Sequence, residues 1–293
     1  MLRQKIRASA LGRIMIGADL AGKTKGLSAT DTVTLDSILK KKESGKPLTE
    51  KQEIDLPKLI SKRDEIVKPC LSEGAKTYVQ DKWYGEVYEY QKNFTNKYTQ
   101  KGKSSVEDRS IEQTGRLLGY NFAVKNLEWK ENDYTHGTPD WLVKQFVFDQ
   151  KNVWEPKGLN FFDSKLQEIY EWQVKAYCWL FEKSEGAVIR TLMNPSEAQI
   201  RQEARAWWIE ASNENSWNDV IPESFIDEVR DVFDFEGKKP IEDRINILPV
   251  SFTEEDRKLI IQQVDLMNEY WIELNSLNES KNIQEIQFFR NKN

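Results

Sequence analysis

GTPDWLV (residues 137–143), followed after a short Lys-Gln turn by FVFDQK (146–151), is the stretch that decides the fold. Both segments are rich in β-branched and aromatic residues and read as two strands of a hairpin. Asp149 and Lys151 are two apart in the second strand, so their side chains emerge on one face. Asp140 sits near the end of the first strand, so two carboxylates and an ammonium converge. Hard oxygen donors of this kind suit Mg²⁺, which keeps several waters and takes one or two carboxylates plus phosphate oxygens. A lysine beside such an ion orients or deprotonates a water and neutralises charge in the transition state. An Asp-x-Lys with an earlier Asp also arises by chance in charged proteins, so the surroundings must carry the reading.

Upstream, FAVKNLEW (122–129) alternates as a strand, and VEDRSIEQTGRLLGY (106–120) sets Val106, Ile111, Leu117 and Leu118 on one side of a short helix. This helix holds two glutamates, Glu107 and Glu112, five apart and so about 140° around its axis; they cannot share a face. Downstream, residues 164–182 have a strong helical period through Leu166, Ile169, Tyr170, Val174, Tyr177, Cys178 and Phe181. Gln173 and Tyr177 lie four apart on one face of it. GAVIRTLM (186–193) reads as a strand, and 196–211 and 253–277 as helices. The last carries a stripe of Leu259, Ile260, Val264, Met267, Tyr270, Trp271 and Leu274 suited to closing a core. Residues 30–92 are charge-rich and read as helices broken at Gly45, Pro47, Pro57, Pro69 and Gly74.

The order of these features resembles the PD-(D/E)XK nuclease superfamily, and within it the lambda exonuclease type related to the RecB nuclease domain. The likeness spans about 101–181. KGKSSVED (101–108) is similar to the family's Gly-led helix with its metal-binding Glu, here Glu107. Pro139-Asp140 and Asp149-Gln150-Lys151 match the signature, and YEWQVKAYCW (170–179) is similar to the Gln helix with Gln173 and Tyr177. IRASALGRIM (6–15) resembles the place where the lambda type binds a terminal 5′-phosphate. At Gln150 the family carries an apolar residue, so this amide needs hydrogen-bond partners.

The resemblance implies an α/β restriction-endonuclease-like core, a short mixed central sheet flanked by helices, with helical N- and C-terminal elaborations. It implies one nuclease domain over 1–293, with a helical N-terminal segment (1–100), the catalytic core (101–195) and a helical C-terminal segment (196–293). Asp140, Asp149 and Glu107 would hold Mg²⁺, with Mn²⁺ as the alternative ion, and Lys151 would serve the nucleophile. Gln173, Thr138 and Tyr177 would face the phosphate, and Arg3, Arg7 and Ser9 the 5′-phosphate. The implied activity is exonucleolytic hydrolysis of duplex DNA from its ends, 5′ to 3′, for phage-type recombination. The implied partners are an annealing protein and, as in lambda-type relatives, two further copies in a trimeric ring. An endonuclease or single-strand nuclease with the same site, or an inactive DNA- or protein-binding relative, is the alternative.

Composition agrees with a folded chain. Of 293 residues 39% are hydrophobic, 31% charged and 11% aromatic, unlike aromatic-poor disordered sequences. The net charge of −5 argues against a protein coated in positive charge, although residues 1–28 hold six basic side chains against Asp19 alone. No run approaches the roughly 20 apolar residues that span a bilayer. The two cysteines, Cys70 and Cys178, leave no disulfide framework or zinc ribbon, which fits a cytoplasmic protein. His136, the one histidine, precedes Gly137-Thr138-Pro139-Asp140 and is read as a loop residue before a base or ligand. Trp154, Phe161 and Phe162 follow Lys151 closely enough to meet a duplex end, and Lys40–Lys42 read as a solvated helix end.

Overall fold

Phe146–Val153 (β5) is flanked by two strands, and its side chains alternate between two different layers. The computed structural model describes residues 4–18, 26–65, 68–90, 105–162, 167–212 and 215–290. Arg3 and the KGKS stretch at 101–104 lie outside these. Two compact units emerge, one of residues 1–12 and 82–258, the other of 13–81 and 259–293.

In the first unit β5 lies in a four-stranded mixed sheet. Trp141–Leu142 (β4) pairs antiparallel with it, Glu185–Leu192 (β6) parallel, and Ile245–Ser251 (β7) closes the order β4-β5-β6-β7. A second sheet of three very short strands has the order β1-β3-β2, from Ile6–Arg7 (β1), Lys130–Glu131 (β2) and Thr135–Gly137 (β3). One face of the larger sheet carries Phe148, Ala187, Ile189 and Ile245, which pack with Trp141 and with Ile111 of helix α5 (Ser105–Leu117). The other face is covered by helix α6 (Glu168–Leu180). Gly186 permits that contact: a Cβ there would fall 2.6 Å from Val147 O and 2.7 Å from Val174 Cγ1. Beyond β6, helices α7 (Glu197–Ala211) and α8 (Glu223–Val232) bury Ile200, Ala204, Ile226 and Val229 between them. A single turn of helix, α9 (Phe235–Lys238), then leads back to the sheet.

The helices at the start of the chain are α1 (Ala8–Met15), α2 (Ala29–Glu43), α3 (Glu50–Asp64) and α4 (Glu73–Val87). In the second unit α2 and α3 enclose Leu35, Ile38 and Leu56. Ser28 caps α2, and Thr49 with Gln52 forms a capping box on α3. The long helix α10 (Glu254–Arg290) buries Ile260, Val264 and Met267 of its expected stripe.

Four expectations change. Residues 122–129 form no strand: the alternation is there, but Phe122, Val124, Leu127 and Trp129 all point to solvent, and only β2 beyond them joins a ladder. The strand expected over 137–143 is two pieces, β3 and β4, separated at Thr138–Asp140, because Pro139 has no N–H to give a ladder. The segment after 196 is not helical throughout, since β7 returns to the sheet. Pro57 lies inside α3 instead of ending it. The interior proline costs about 3 kcal/mol, offset by the apolar side of Leu56, Leu59 and Ile60 against α2.

Candidate active site

Asp149 is 1% exposed in the middle strand β5, where an isolated carboxylate would be costly. Strand alternation turns it, with Lys151, toward α6. Lys151 Nζ lies 2.9 Å from Asp149 Oδ1 and 2.7 Å from Oδ2. Gln173 Nε2 of α6 donates to the same Oδ1 at 2.9 Å and also reaches Tyr177 OH, one turn along the helix, at 3.1 Å. Both hydrogens of the Gln173 amide are thereby engaged, and its role is to fix Asp149. Among the described residues Asp149 Oδ2 receives no well-directed hydrogen bond, although the Lys151 ammonium lies beside it.

Asp140 joins this pair through the backbone. Gln150 N, between Asp149 and Lys151 in sequence, donates to Asp140 Oδ2 at 2.6 Å. Asp140 O in turn accepts from Asn126 N at 2.8 Å, which ties the 121–129 segment to the site. Burial, reinforced by the Asp149 charge, pushes the Asp140 carboxyl up to about 7. Burial alone would lower the Lys151 ammonium, but Asp149 and Asp140 outweigh it and the net shift is upward. Lys151 therefore stays charged at neutral pH, 5.2 Å above the Tyr170 ring. Burial and the Asp149 charge also push Tyr177 up to about 12.

Behind the strand, the Gln150 side chain is 5% exposed and satisfied twice. Its Oε1 accepts from Trp141 Nε1 at 3.3 Å and its Nε2 donates to Thr191 Oγ1 at 2.7 Å. The polar amide thus takes its place in an otherwise apolar layer.

Glu107, in the first turn of α5, accepts from Lys125 Nζ at 2.8 Å and contributes to the negative field at Asp140. Glu112 pairs with Arg116 at the surface. Sequence alone does not single out Lys125; the only signal is its place in a segment ending at the hairpin. Thr138 is half-buried beside Asp140. β1 runs parallel to β3 with Arg7 opposite His136, and Arg7 is exposed. A Cβ on Gly137 would lie 3.0 Å from Tyr177 Cε1 and 3.1 Å from Ala8 Cβ, so the first turn of α1, with Ser9, begins against Gly137 and Tyr177. His136 lies in β3 with its ring 5.8 Å from that of Trp129. Phe161 and Phe162 are exposed.

The donor set fits a hard divalent ion at Asp140 and Asp149. Two carboxylates share one ammonium, Asp149 Oδ2 lacks a hydrogen bond, and Asp140, held up by burial and by the Asp149 charge, has room for a further cation's field. Among the described residues no group of three or more His, Cys, Asp or Glu side chains converges, so water and substrate oxygens would fill positions that Asp140 and Asp149 leave open.

No protein-family model matches the sequence, and no curated protein does. Among solved structures, a phage-related exonuclease from Haemophilus somnus 129PT superposes with a TM-score of 0.60 at 22% identity, over 94% of this chain and 96% of that one. The alkaline exonuclease LHK-Exo from Laribacter hongkongensis gives a TM-score of 0.46 at 8% identity, over 73% and 88%. Its complex with dAMP gives 0.42 at 9%, over 74% and 88%. Along nearly its whole length, then, this chain has the fold of the phage-related exonuclease.

Proposed function

We propose that the protein is a metal-dependent deoxyribonuclease that degrades duplex DNA from its ends in the 5′ to 3′ direction. One observation carries the reading: the Asp140–Asp149 pair, spaced by the Gln150 amide and closed by Lys151 and Gln173. Asp140 and Asp149 would hold Mg²⁺ or Mn²⁺, with Glu107 as a further ligand or water-orienting group. Bound there, the ion supplies polarisation of the phosphoryl oxygen and a water of lowered pKa. Lys151, kept protonated by its two carboxylates, orients that water and offsets charge on the phosphoryl oxygens as they develop it. Gln173 holds Asp149 in one rotamer, and Thr138 and Tyr177 line the approach of the phosphate.

The 5′ polarity is supported by the start of the chain. Ser9 in the first turn of α1 and Arg7 beside it, with Arg3 before them, would take a terminal phosphate through a helix N-terminus and guanidinium groups. The strand left behind would serve an annealing partner in phage-type recombination in the cytoplasm, and a trimeric ring would make digestion processive. None of the described helices is long and apolar enough to cross a membrane.

The test is digestion of linear duplex DNA labelled separately at its 5′ and 3′ termini, with Mg²⁺ and with EDTA, beside a covalently closed circle. Metal-dependent release from 5′ ends, sparing the circle, is expected. Cutting of the circle would replace the reading by an endonuclease. Equal rates on 5′-phosphate and 5′-hydroxyl ends would remove the Arg7–Ser9 pocket. No cleavage with either metal would point to a DNA- or protein-binding relative.

A further inference from the structure

Arg190 sits in the interior strand β6 at 6% exposure, in a run that is otherwise Gly, Ala, Val, Ile, Thr and Leu after its first residue. Strand register fixes its face. Arg190 is the partner of Lys151 on β5 and of Asn246 on β7, and Val188 is the partner of Asp149. Paired residues on neighbouring strands stand side by side on the same face, the strands being about 4.8 Å apart. Arg190 thus emerges on the face of Asp149 and Lys151, opposite to that of Gln150, Ile189 and Thr191. Asn246 on its other side donates to Leu159 O at 2.8 Å and Asn160 O at 3.3 Å, which anchors the turn Pro156–Leu159 over this end of the sheet.

Among the described residues Arg190 makes no side-chain hydrogen bond and no ion pair. The other buried arginine of the unit, Arg244, donates to Lys239 O, Leu192 O and Gln113 Oε1. The neighbouring ammonium of Lys151 is committed to Asp149. No Arg190 nitrogen is among the sealed polar atoms that lack a partner, so the guanidinium is not wholly closed off from solvent. A buried cation without a counter-ion costs stability, and such local inconsistencies mark functional positions.

We propose that Arg190 is a phosphate-binding residue of this site, its guanidinium taking oxygens of a nucleic-acid phosphate next to Lys151. The proposal rests on the nuclease reading and names a contact that the sequence signature does not contain. With both carboxylates ionised, Asp140, Asp149, Lys151 and Arg190 sum to zero charge; a divalent ion would make the set positive, matched to a phosphodiester. The planar fork takes two oxygens at once, which a lysine does not.

The test compares wild type with R190M, which keeps an unbranched stem, and with R190K. Three quantities are read: kcat/KM on linear duplex DNA, Tm in EDTA, and the Tm shift given by inorganic phosphate against chloride at equal ionic strength. The expected result is a fall of about 10- to 100-fold in kcat/KM for R190M, with a smaller fall for R190K. Tm of R190M stays level or rises, and its phosphate shift shrinks. Cleavage by R190M at the wild-type rate overturns the proposal and leaves the nuclease reading intact. A lowered Tm in R190M shows an arginine that holds the fold together, and also overturns it. If the wild type cleaves nothing, the nuclease reading fails and the phosphate shift decides alone: a shift lost in R190M retains the anion site, an equal shift removes it.

Discussion

Lys125 Nζ stands 2.8 Å from Glu107 Oε2, and the hydrogen bond to Glu107 raises the lysine above its ordinary value despite partial burial. The lysine comes from the segment whose Asn126 amide is bonded to Asp140 O, so the third acid is neutralised by a cation carried on the site's own wall. If Glu107 is a metal ligand, Lys125 competes with the ion for it. K125M is expected to tighten Mn²⁺ binding by a few-fold, read by calorimetric titration without DNA. An unchanged affinity would place Glu107 outside the ion's shell.

Asp140 couples stability to pH. Its folded value near 7 lies above the ordinary 3.8, so the folded state holds a proton that the unfolded chain has lost. That contribution is complete below about pH 4 and disappears as pH rises through 7. D140N does not titrate and keeps an oxygen for the Gln150 amide. In EDTA, Tm of D140N relative to wild type should therefore increase from about pH 5 to about pH 8. A difference that shrinks over that range would contradict the coupling of the two carboxylates.

Gln150 joins the site to the layer behind it. Q150L leaves the Trp141 indole N–H without an acceptor and Thr191 without its amide donor. Unpaired buried groups of this kind cost about 1–3 kcal/mol. The loss should appear as a lower urea midpoint with an unchanged m-value; a midpoint equal to wild type would mean water replaces the amide.

Gly186 is a packing requirement. In G186A the methyl meets Val147 O, Val174 Cγ1 and Val147 Cγ2, all within 2.8 Å, so β6 must move away from β5 and α6. Destabilisation of about 1–3 kcal/mol is expected. Gly74, in the first turn of α4, has nothing within 4 Å of the position a methyl would take, so G74A serves as the control, neutral or stabilising by up to about 1 kcal/mol. Equal effects would refute the steric argument.

The regions of this fold that sequence reveals are those with strong local patterns. Strand β5, its hairpin with β4, helix α6 and strand β6 all fall where apolar periodicity puts them, and Asp149 and Lys151 share a face because the period of a strand is two. β1 escapes because two residues in a parallel, long-range pairing leave no local signature. β7 is obscured by Pro249, tolerated because this strand is at the sheet edge. The 122–129 segment has the alternation without the ladder, since its backbone turns to Asp140. Lys125 and Arg190 are invisible for a related reason: only the tertiary register sets them beside the acids.

In the first turn of helix α6, Ile169 is so close to α1 that a Cβ on Gly12 would lie 2.4 Å from its Cα, and one turn later the helix presents Gln173 to Asp149. The helix thereby mechanically links the opening residues to an acid far along the chain. A larger side chain at Gly12 would consequently be felt at Asp149, through the one helix that carries both contacts.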